Sequence, residues 1–353
     1  MPTPTPTSAR PTTPFPKLIK PATELFKRLT TIKLQEAKLT VGLDIGSTAI
    51  KAIALGSRKG PGPRPLIAQK LVSLEPGQET DASEAIKTAM AGLGIPARAV
   101  NLSVSGQWVI MRIVEMPVMK PGEIKQALPF EAQRYLPFNI QDVVIDGAVL
   151  GAADAKKMWV LIVACKKELI ERRLDWIRRA GFEAALVDID ALALANSFLA
   201  SRNGAGMEGT RALVNAGGQL TNLVIFHGDV PYLVRDIPWA ADKLVRNVAE
   251  QVGAEPDDVN AALVKNELTP EMKSAMKVTA EALVTELQLS FDYFENRFGQ
   301  PPEEIFLSGG LAQSAGFVEA VKSHLTQSIT PWTPLQGLST QFTVAYGLAL
   351  RTS

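Results

Sequence analysis

Three short glycine-containing segments hold the residues of this sequence best suited to bind a phosphate group: residues 42–51, 215–221 and 308–310. Glycine lets the backbone approach a phosphate closely, and successive N–H groups in such a turn form an anion site. Hydroxyl and ammonium groups in the first segment add further donors. The pattern therefore predicts a site for a nucleotide. Its candidate residues are Gly42, Gly46, Ser47, Thr48, Lys51, Asn215, Gly217, Gly218, Thr221, Ser308, Gly309 and Gly310.

One acidic residue, Asp44, lies inside the first segment, where its carboxylate would repel a phosphate. Its position is explained if it binds, directly or through water, a Mg²⁺ ion that accompanies the nucleotide. A cysteine- or histidine-based metal site is not expected, because the chain has one cysteine, Cys165, and two histidines that are far apart in the sequence, His227 and His324. Asp44 is therefore the candidate magnesium ligand.

The elements around these segments predict two similar α/β lobes. Residues 39–55 and 212–226 each show apolar, β-branched strands on both sides of a glycine turn, and a third strand is expected after each. Residues 271–298 have apolar residues at steps of three or four, which predicts a long helix with one buried face.

A block of strands and helices at residues 97–183 interrupts the first lobe and predicts an inserted α+β module. Within it we expect a helix over residues 123–136 that Pro129 breaks or bends. The predicted organisation is a tail at 1–39, a first lobe at 40–96 and 184–205, the module at 97–183, and a second lobe at 206–353 with a helical subdomain at about 240–300.

Three aspartates outside the glycine segments, Asp188, Asp190 and Asp236, could serve as a catalytic base. Asp190 precedes a helical run and fits the N-cap position, so we favour capping for it. Four arginines at 172, 173, 178 and 179 favour a solvated helix face over a nucleic-acid site.

Composition indicates a folded protein of a reducing compartment. Apolar residues make up 46% and charged residues 21% of the chain, which excludes bulk disorder, and the net charge of +1 gives no general attraction to nucleic acid. No apolar run is long enough for a transmembrane helix. The composition of the proline-rich and basic tail predicts a solvated tether. The alternative is that this tail contacts an anionic membrane surface. We expect a cytoplasmic protein.

The order of the three glycine turns resembles the actin-like ATPase superfamily. Residues 42–51 look like its first phosphate loop, residues 215–221 like its second, and residues 307–316 like its adenosine motif. Within that superfamily the sequence resembles the PilM family of type IV pilus assembly proteins, relatives of the cell-division protein FtsA. The matching stretches are residues 130–138, 142–150, 289–294 and 344–351.

The resemblance implies a two-lobed actin-like ATPase fold of duplicated RNase H-like lobes, with a small α+β module in the first lobe, and it implies ATP and Mg²⁺ as cofactors. It also implies a cytoplasmic adaptor, peripheral at the inner membrane, that binds the N-terminal peptide of a PilN-like single-span membrane protein and could self-associate. That peptide would lie between the first lobe and the module. The candidate contacts there are Phe130, Tyr135, Pro137 and Phe138; the alternative is that these residues pack the module's own core.

Two departures from the superfamily pattern bear on activity. Asn215 stands where the second phosphate loop usually begins with an aspartate that helps to hold Mg²⁺, and Trp239-Ala240 replaces a usual Gly-Gly pair. The first change predicts slow or absent hydrolysis, and the second predicts a crowded nucleotide site. A sugar kinase and a nucleotide-free scaffold on the same fold are the alternative functions.

Overall fold

The computed structural model describes residues 39–58, 62–75, 78–202 and 204–352. All of the predicted tail except Leu39 lies outside these residues. The strands are β1 (Leu39–Ile45), β2 (Ala49–Gly56), β3 (Leu66–Ser73), β4 (Ala99–Val104), β5 (Val109–Pro117), β6 (Val143–Ala152), β7 (Lys157–Lys166), β8 (Glu183–Ile189), β9 (Thr210–Ala216), β10 (Thr221–His227), β11 (Val230–Ile237), β12 (Glu304–Gly309) and β13 (Ser328–Pro331).

The α-helices of the same described residues follow the strands closely in the chain. They are α1 (Ser83–Ala91), α2 (Pro121–Ala132), α3 (Lys167–Arg179), α4 (Asp190–Ser201), α5 (Ala241–Val252), α6 (Pro256–Lys265), α7 (Pro270–Phe298), α8 (Ala315–Lys322) and α9 (Thr343–Leu350). None of the helices within this part of the chain is long and apolar enough to cross a bilayer.

Two five-stranded sheets have the same topology. Their strand orders are β3-β2-β1-β4-β8 and β11-β10-β9-β12-β13. In each sheet the first three strands are antiparallel neighbours and the remaining pairs are parallel. The duplicated α/β lobes predicted from the sequence are thereby confirmed. Since parallel strands end at the same edge, the ends of β1 and β4, and likewise of β9 and β12, lie side by side.

The inserted module has a three-stranded sheet of its own, in the order β5-β7-β6. Helix α2 covers one face, where Ile124 and Leu128 pack with Val160 and Ile162. Strand β4, which the sequence analysis placed within the insert, pairs instead with β1 and β8 in the first-lobe sheet. Helix α3, also assigned to the insert, packs Trp176 and Ile177 into the core of the first lobe. We therefore propose residues 105–166 as the module, narrower at both ends than 97–183.

The other face of the module sheet packs against the second lobe. The ring centroid of Trp159 lies 6.4 Å from that of Tyr232 and 5.7 Å from that of Phe298. The guanidinium of Arg297 lies over the same ring, 4.7 Å from its centroid. Val109 and Met111 of the module also pack with Ile189 and Leu194 of the first lobe, so the module contacts both lobes.

The last helix, α9, crosses back to the first lobe, although the sequence analysis assigned residues 206–353 to the second. It packs against β1 and α4. The packing is backbone to backbone at Gly347, where an added Cβ would lie 1.8 Å from the carbonyl oxygen of Ala193. This contact fastens the end of the chain to the lobe in which it began.

Two local predictions were wrong. The helix predicted over residues 123–136 ends at Ala132 rather than at Leu136. Pro129 lies inside it without breaking it and removes one helical hydrogen bond, to the carbonyl of Lys125; the predicted bend at Pro129 stays a prediction. Asp190 is the first residue of α4 and not its cap: Ile189 is the N-cap, and it makes no side-chain cap hydrogen bond. In the first turn the carboxylate of Asp190 is instead favoured by the helix dipole.

Candidate functional site

The first glycine turn joins β1 to β2 and is closed by a hydrogen bond from the Gly46 N–H to the Ala49 carbonyl, at 3.2 Å. The next two N–H groups, of Ser47 and Thr48, make no hydrogen bond within the part of the chain that the structure describes. Thr48 is exposed and Ser47 is half-buried. This turn therefore presents unused donors, as an anion site requires.

Asp44 forms an ion pair with Lys51 beside this turn, with 3.1 Å between Oδ2 and Nζ. Burial raises the pKa of the Asp44 carboxyl group, and the Lys51 ammonium opposes that shift. Asp190 and Arg173 act on Asp44 more weakly. The carboxylate is thus a largely buried anion whose counter-ion is a lysine, and this arrangement suits a site that can accept a metal cation.

The second glycine turn joins β9 to β10 and lies against the N-terminus of α5. The Gly217 N–H donates to the Leu220 carbonyl at 3.0 Å, while the carbonyls of Gly217 and Gly218 accept the N–H groups of Ala241 and Asp242. The positive end of the α5 dipole therefore lies behind this turn and favours an anion there.

The two turns touch across the cleft between the lobes. A Cβ added to Gly218 would lie 2.6 Å from Thr48 Cγ2 and 2.7 Å from Ser47 Oγ. The sequence-predicted phosphate loops are therefore neighbours in space, and the cleft between them is closed.

The third turn follows β12, where Gly309 has a φ of +91°. A Cβ at this position would lie 2.3 Å from the Ala216 carbonyl oxygen, and the Thr340 hydroxyl donates to the Gly309 carbonyl at 2.7 Å. Gly310 follows it and is exposed. Only glycine fits at 309, and this turn therefore lies against the end of β9, next to the second turn.

Three of the predicted residues have structural contacts of their own. An added Cβ at Gly42 would lie 2.0 Å from the Ala345 carbonyl oxygen, so this glycine admits α9 rather than a phosphate. The Thr221 hydroxyl donates to the Trp239 carbonyl. Asn215 accepts a hydrogen bond from Ser308 at 3.3 Å and donates to Asn222 at 3.0 Å, which occupies its amide.

The expected crowding by Trp239 was wrong. Its ring packs inside the second lobe, 5.9 Å from that of Phe317, and the residue is 8% exposed. The apolar core of the second lobe attracts the indole, so it does not point into the cleft.

Two of the three candidate catalytic acids are held by other groups, and the third, Asp190, is the first residue of α4. Asp188 is buried, accepts the Ile189 N–H at 2.8 Å and lies 3.5 Å from the Arg351 guanidinium, and burial raises its pKa. Asp236 accepts the Gly106 N–H and the Asn222 amide, both at 2.8 Å. Within the described residues no group of three or more acidic, histidine or cysteine side chains could hold a metal ion. A magnesium ion would therefore depend on the nucleotide for most of its ligands.

We expect the Asp236 carboxyl group to titrate near pH 6, because burial raises its pKa to about 6 despite the two N–H donors. With a pKa near 3.9 when unfolded, it favours the folded state by up to about 3 kcal/mol below pH ~4, and this contribution is lost as the pH rises through about 6. A ¹³C NMR titration of labelled aspartates checks this, with Asp236→Asn to assign the signal. Titration near pH 4 would contradict it.

A second region of interest is an open cavity of about 530 Å³ beside the end of β7. Its lining consists of Leu136, Pro137, Phe138, Asn139, Asp142 and Lys166. The Lys166 ammonium lies 3.8 Å from the Trp108 ring centroid and 4.7 Å from that of Phe138, and the two rings stack at 5.8 Å. A smaller cavity adjoins it on the side of Trp108 and Arg172.

This cavity contains two of the four aromatic and proline residues predicted to bind a partner. Pro137 and Phe138 line it, whereas Phe130 and Tyr135 do not, and Phe130 is 77% exposed. Sequence reasoning missed Trp108 and Lys166, which come from separate strand ends. The only sequence signal for them was an isolated tryptophan after Gly106.

Arg173 departs from the solvated face predicted for its helix. Its guanidinium lies 4.7 Å from the Trp176 ring centroid, its Nε is buried without a hydrogen-bond partner in the described structure, and burial lowers its pKa. The tryptophan one turn further along α3 was the available signal.

Two lobes of identical topology, with paired glycine turns facing each other across a cleft and a third turn beside them, define the actin-like ATPase fold. The model of the family described as type IV pilus assembly protein PilM matches residues 42–353, and the chain belongs to that family.

Two solved structures have a similar fold. One is a PilM–PilN type IV pilus biogenesis complex, 23% identical, which covers 88% of this chain and 97% of its own with a TM-score of 0.77. The other is the ethanolamine utilization protein EutJ from Carboxydothermus hydrogenoformans, 15% identical, which covers 94% of this chain and 99% of its own with a TM-score of 0.54. At these identities the likeness concerns the fold.

Proposed function

We propose that this chain is a cytoplasmic, nucleotide-binding adaptor of the inner-membrane complex that assembles a type IV pilus. It joins that complex by binding the N-terminal cytoplasmic peptide of a PilN-like single-span membrane protein. Membership of the PilM family supports the role, and the solved complex of a similar fold with PilN supports the partner. The partner holds the chain at the inner membrane, and the basic tail adds weak attraction to anionic lipid.

The observation that carries the partner proposal is the cavity beside Lys166. The stacked rings of Trp108 and Phe138 offer an apolar platform, which suits the side chains of an extended peptide. The Lys166 ammonium makes no hydrogen bond to any described residue, so its N–H groups are available to peptide carbonyls or a carboxylate. Aromatic anchors in such cavities often dominate peptide affinity.

We expect Phe138→Ala to weaken binding of the cognate N-terminal peptide by about tenfold or more, because it removes one wall of the cavity. Phe130→Ala is the matched control: it removes the same ring from a position outside the cavity and should change the affinity less than about twofold. Fluorescence anisotropy with a labelled peptide measures both.

The outcomes of this titration separate the adaptor assignment from the location of its groove. No binding by the wild type at high micromolar peptide would refute the adaptor assignment. Equal binding by the wild type and Phe138→Ala, with loss in Phe130→Ala, would place the peptide on the outer face of α2 instead.

The nucleotide proposal is Mg-ATP between the lobes. The unused N–H groups of Ser47 and Thr48, the cation Lys51, and the α5 dipole behind Gly217 and Gly218 all favour phosphate. Asp44 is the proposed metal ligand, because Mg²⁺ commonly takes one or two carboxylates and completes its shell with phosphates and water. The alternative of a sugar kinase has no supporting observation: Asp188 and Asp236 are both held by other residues, and Asp190 lies in the first turn of α4, where the helix dipole accounts for it.

We further propose that hydrolysis is slow, with a turnover below about 1 s⁻¹, under the ordinary range of enzymes. Asn215 brings no charge to the metal, and its amide is occupied by Ser308 and Asn222. Phosphoryl transfer depends on positioning and charge neutralisation, which a missing carboxylate weakens. A phosphate-release assay on nucleotide-saturated protein checks this, and a faster turnover would contradict it.

A further inference from the structure

A row of four polar residues crosses the second-lobe sheet, one residue behind the glycine turns. Ser308 pairs in register with Asn215, Asn215 with Asn222, and Asn222 with Asp236. Ser308 is 1% and Asn222 2% exposed. Burying such groups costs free energy unless each is hydrogen-bonded, and here every neighbouring pair is joined by a side-chain hydrogen bond. The row is therefore a continuous chain of hydrogen bonds from β12 to β11.

The far end of this row leaves the second lobe. The second oxygen of Asp236 accepts the N–H of Gly106, which follows β4 and begins the module. Gly106 has a φ of +98°, and its carbonyl accepts the Val109 N–H, so residues 106–109 form a tight turn. This turn carries Trp108, whose carbonyl accepts the Lys166 N–H. The Trp108 ring stacks on Phe138 of the partner cavity and lines the smaller cavity beside it.

Asp236 joins the row to this turn, and its chemistry suits the task. Two N–H donors approach it, one from the module and one from the second lobe, and a carboxylate offers each of them an oxygen. An asparagine would offer one oxygen and would turn an N–H₂ group toward the other donor.

In its middle the row adjoins a contact that a nucleotide must change. Asn215 and Asn222 lie just before and just after the second glycine turn, and Gly218 of that turn touches Ser47 and Thr48. A phosphate that enters between the turns must separate them, and the strands that carry Asn215 and Asn222 are continuous with the turn that moves.

We infer that Asp236 is a positioning residue that couples the two sites: it ties the glycine turns of the nucleotide cleft to the turn that carries Trp108, so that each ligand alters the affinity for the other. The inference rests on the proposed function for the identity of the two ligands, but the link itself is a property of the free protein. Coupling of this kind is reciprocal and is commonly about fivefold or more.

The link is tested first without any ligand. The chain has five tryptophans, so labelling with 5-fluorotryptophan gives a small set of ¹⁹F signals, and Trp108→Phe assigns that of Trp108. We expect Asn222→Ala, which breaks the row in the second lobe, to shift the Trp108 signal by more than its line width. The matched control is Asp229→Asn: Asp229 also accepts a backbone N–H, from Met207, but lies at the opposite end of the sheet. The control should leave the signal in place.

The coupling is then measured by peptide titration with and without saturating Mg-ATP. In the wild type the dissociation constant for the peptide should change at least about fivefold, and in Asp236→Asn the ratio should fall to about one although each ligand still binds alone. Asn222→Ala should behave in the same way, which provides a second variant if Asp236→Asn does not fold. Asp229→Asn should keep the wild-type ratio.

Each result decides a different question. Failure of the wild type to bind peptide or nucleotide would refute the proposed function, while the ¹⁹F experiment would still decide the link. A Trp108 signal unmoved by Asn222→Ala, or a coupling ratio that is the same in Asp236→Asn as in the wild type, would overturn the inference.

Discussion

Gly347→Ala is expected to destabilise the protein by at least about 2 kcal/mol, the usual cost of forcing extra volume into a packed contact. Helix propensity alone would favour alanine at this position in α9, by about 1 kcal/mol. The packing decides the sign, because the new Cβ would lie 1.8 Å from the carbonyl oxygen of Ala193 and 2.6 Å from its carbon. Backbone atoms of α4 cannot move aside as a side chain can, so the two helices must separate. Thermal or urea unfolding measures the change in the free energy of unfolding.

The matched control is Gly122→Ala in α2. Gly122 is also a helical glycine, but an added Cβ meets nothing within 4 Å. We expect a change between zero and a gain of about 1 kcal/mol there. If both variants gained stability, α9 would not pack on α4 as closely as the structure has it, and the return of the chain to the first lobe would be in doubt.

The contact at Gly347 belongs to the part of the fold that the sequence does not predict. The strands β1, β2, β9 and β10 were predicted from apolar, β-branched runs on both sides of a glycine turn. This signal lies within a few consecutive residues, so it can be recognised without knowledge of the tertiary contacts. The destination of α9 was not predictable in that way. Its residues are apolar on all sides, and an apolar helix fits either lobe until the tertiary contacts at Gly42 and Gly347 are known.

The candidate sites differ in the same way: some have a local signal in the sequence, and others are assembled only by the fold. The glycine turns were predictable because each has its own local signature in the chain. The polar row was not predictable, since Ser308, Asn215 and Asp236 come together only through strand register. From the sequence, Asn215 was interpreted only as the replacement of a magnesium ligand. The partner cavity was half predictable: Phe138 lies within a recognisable stretch, whereas Trp108 and Lys166 are joined to it by the fold.

Mg-ATP at a hundred times its dissociation constant is expected to stabilise the nucleotide-free protein by about 2.7 kcal/mol, which corresponds to a rise in melting temperature of at least several degrees. Removal of Mg²⁺ should weaken ATP binding by about tenfold or more. The reason is electrostatic: two like charges 4 Å apart repel by about 4 kcal/mol at an effective dielectric constant of 20. Without the metal, Asp44 beside a phosphate would have Lys51, and more weakly Arg173, to offset this repulsion. Calorimetric titrations with Mg²⁺ and with EDTA measure both affinities.

Asp44→Asn separates the role of the metal from that of the glycine turns. The variant keeps the shape of the side chain but removes the charge that Mg²⁺ would bridge, so ATP should bind it with nearly the same affinity with or without the metal. Asp154→Asn, in a distant turn of the module where Asp154 accepts the N–H groups of Lys156 and Lys157, should keep the wild-type dependence on Mg²⁺. An equal metal requirement in Asp44→Asn and the wild type would remove Asp44 from the metal site. A flat titration of the wild type, with no nucleotide carried through purification, would favour the nucleotide-free scaffold, since the contact between Gly218 and the first turn would then be a permanent closure of the cleft.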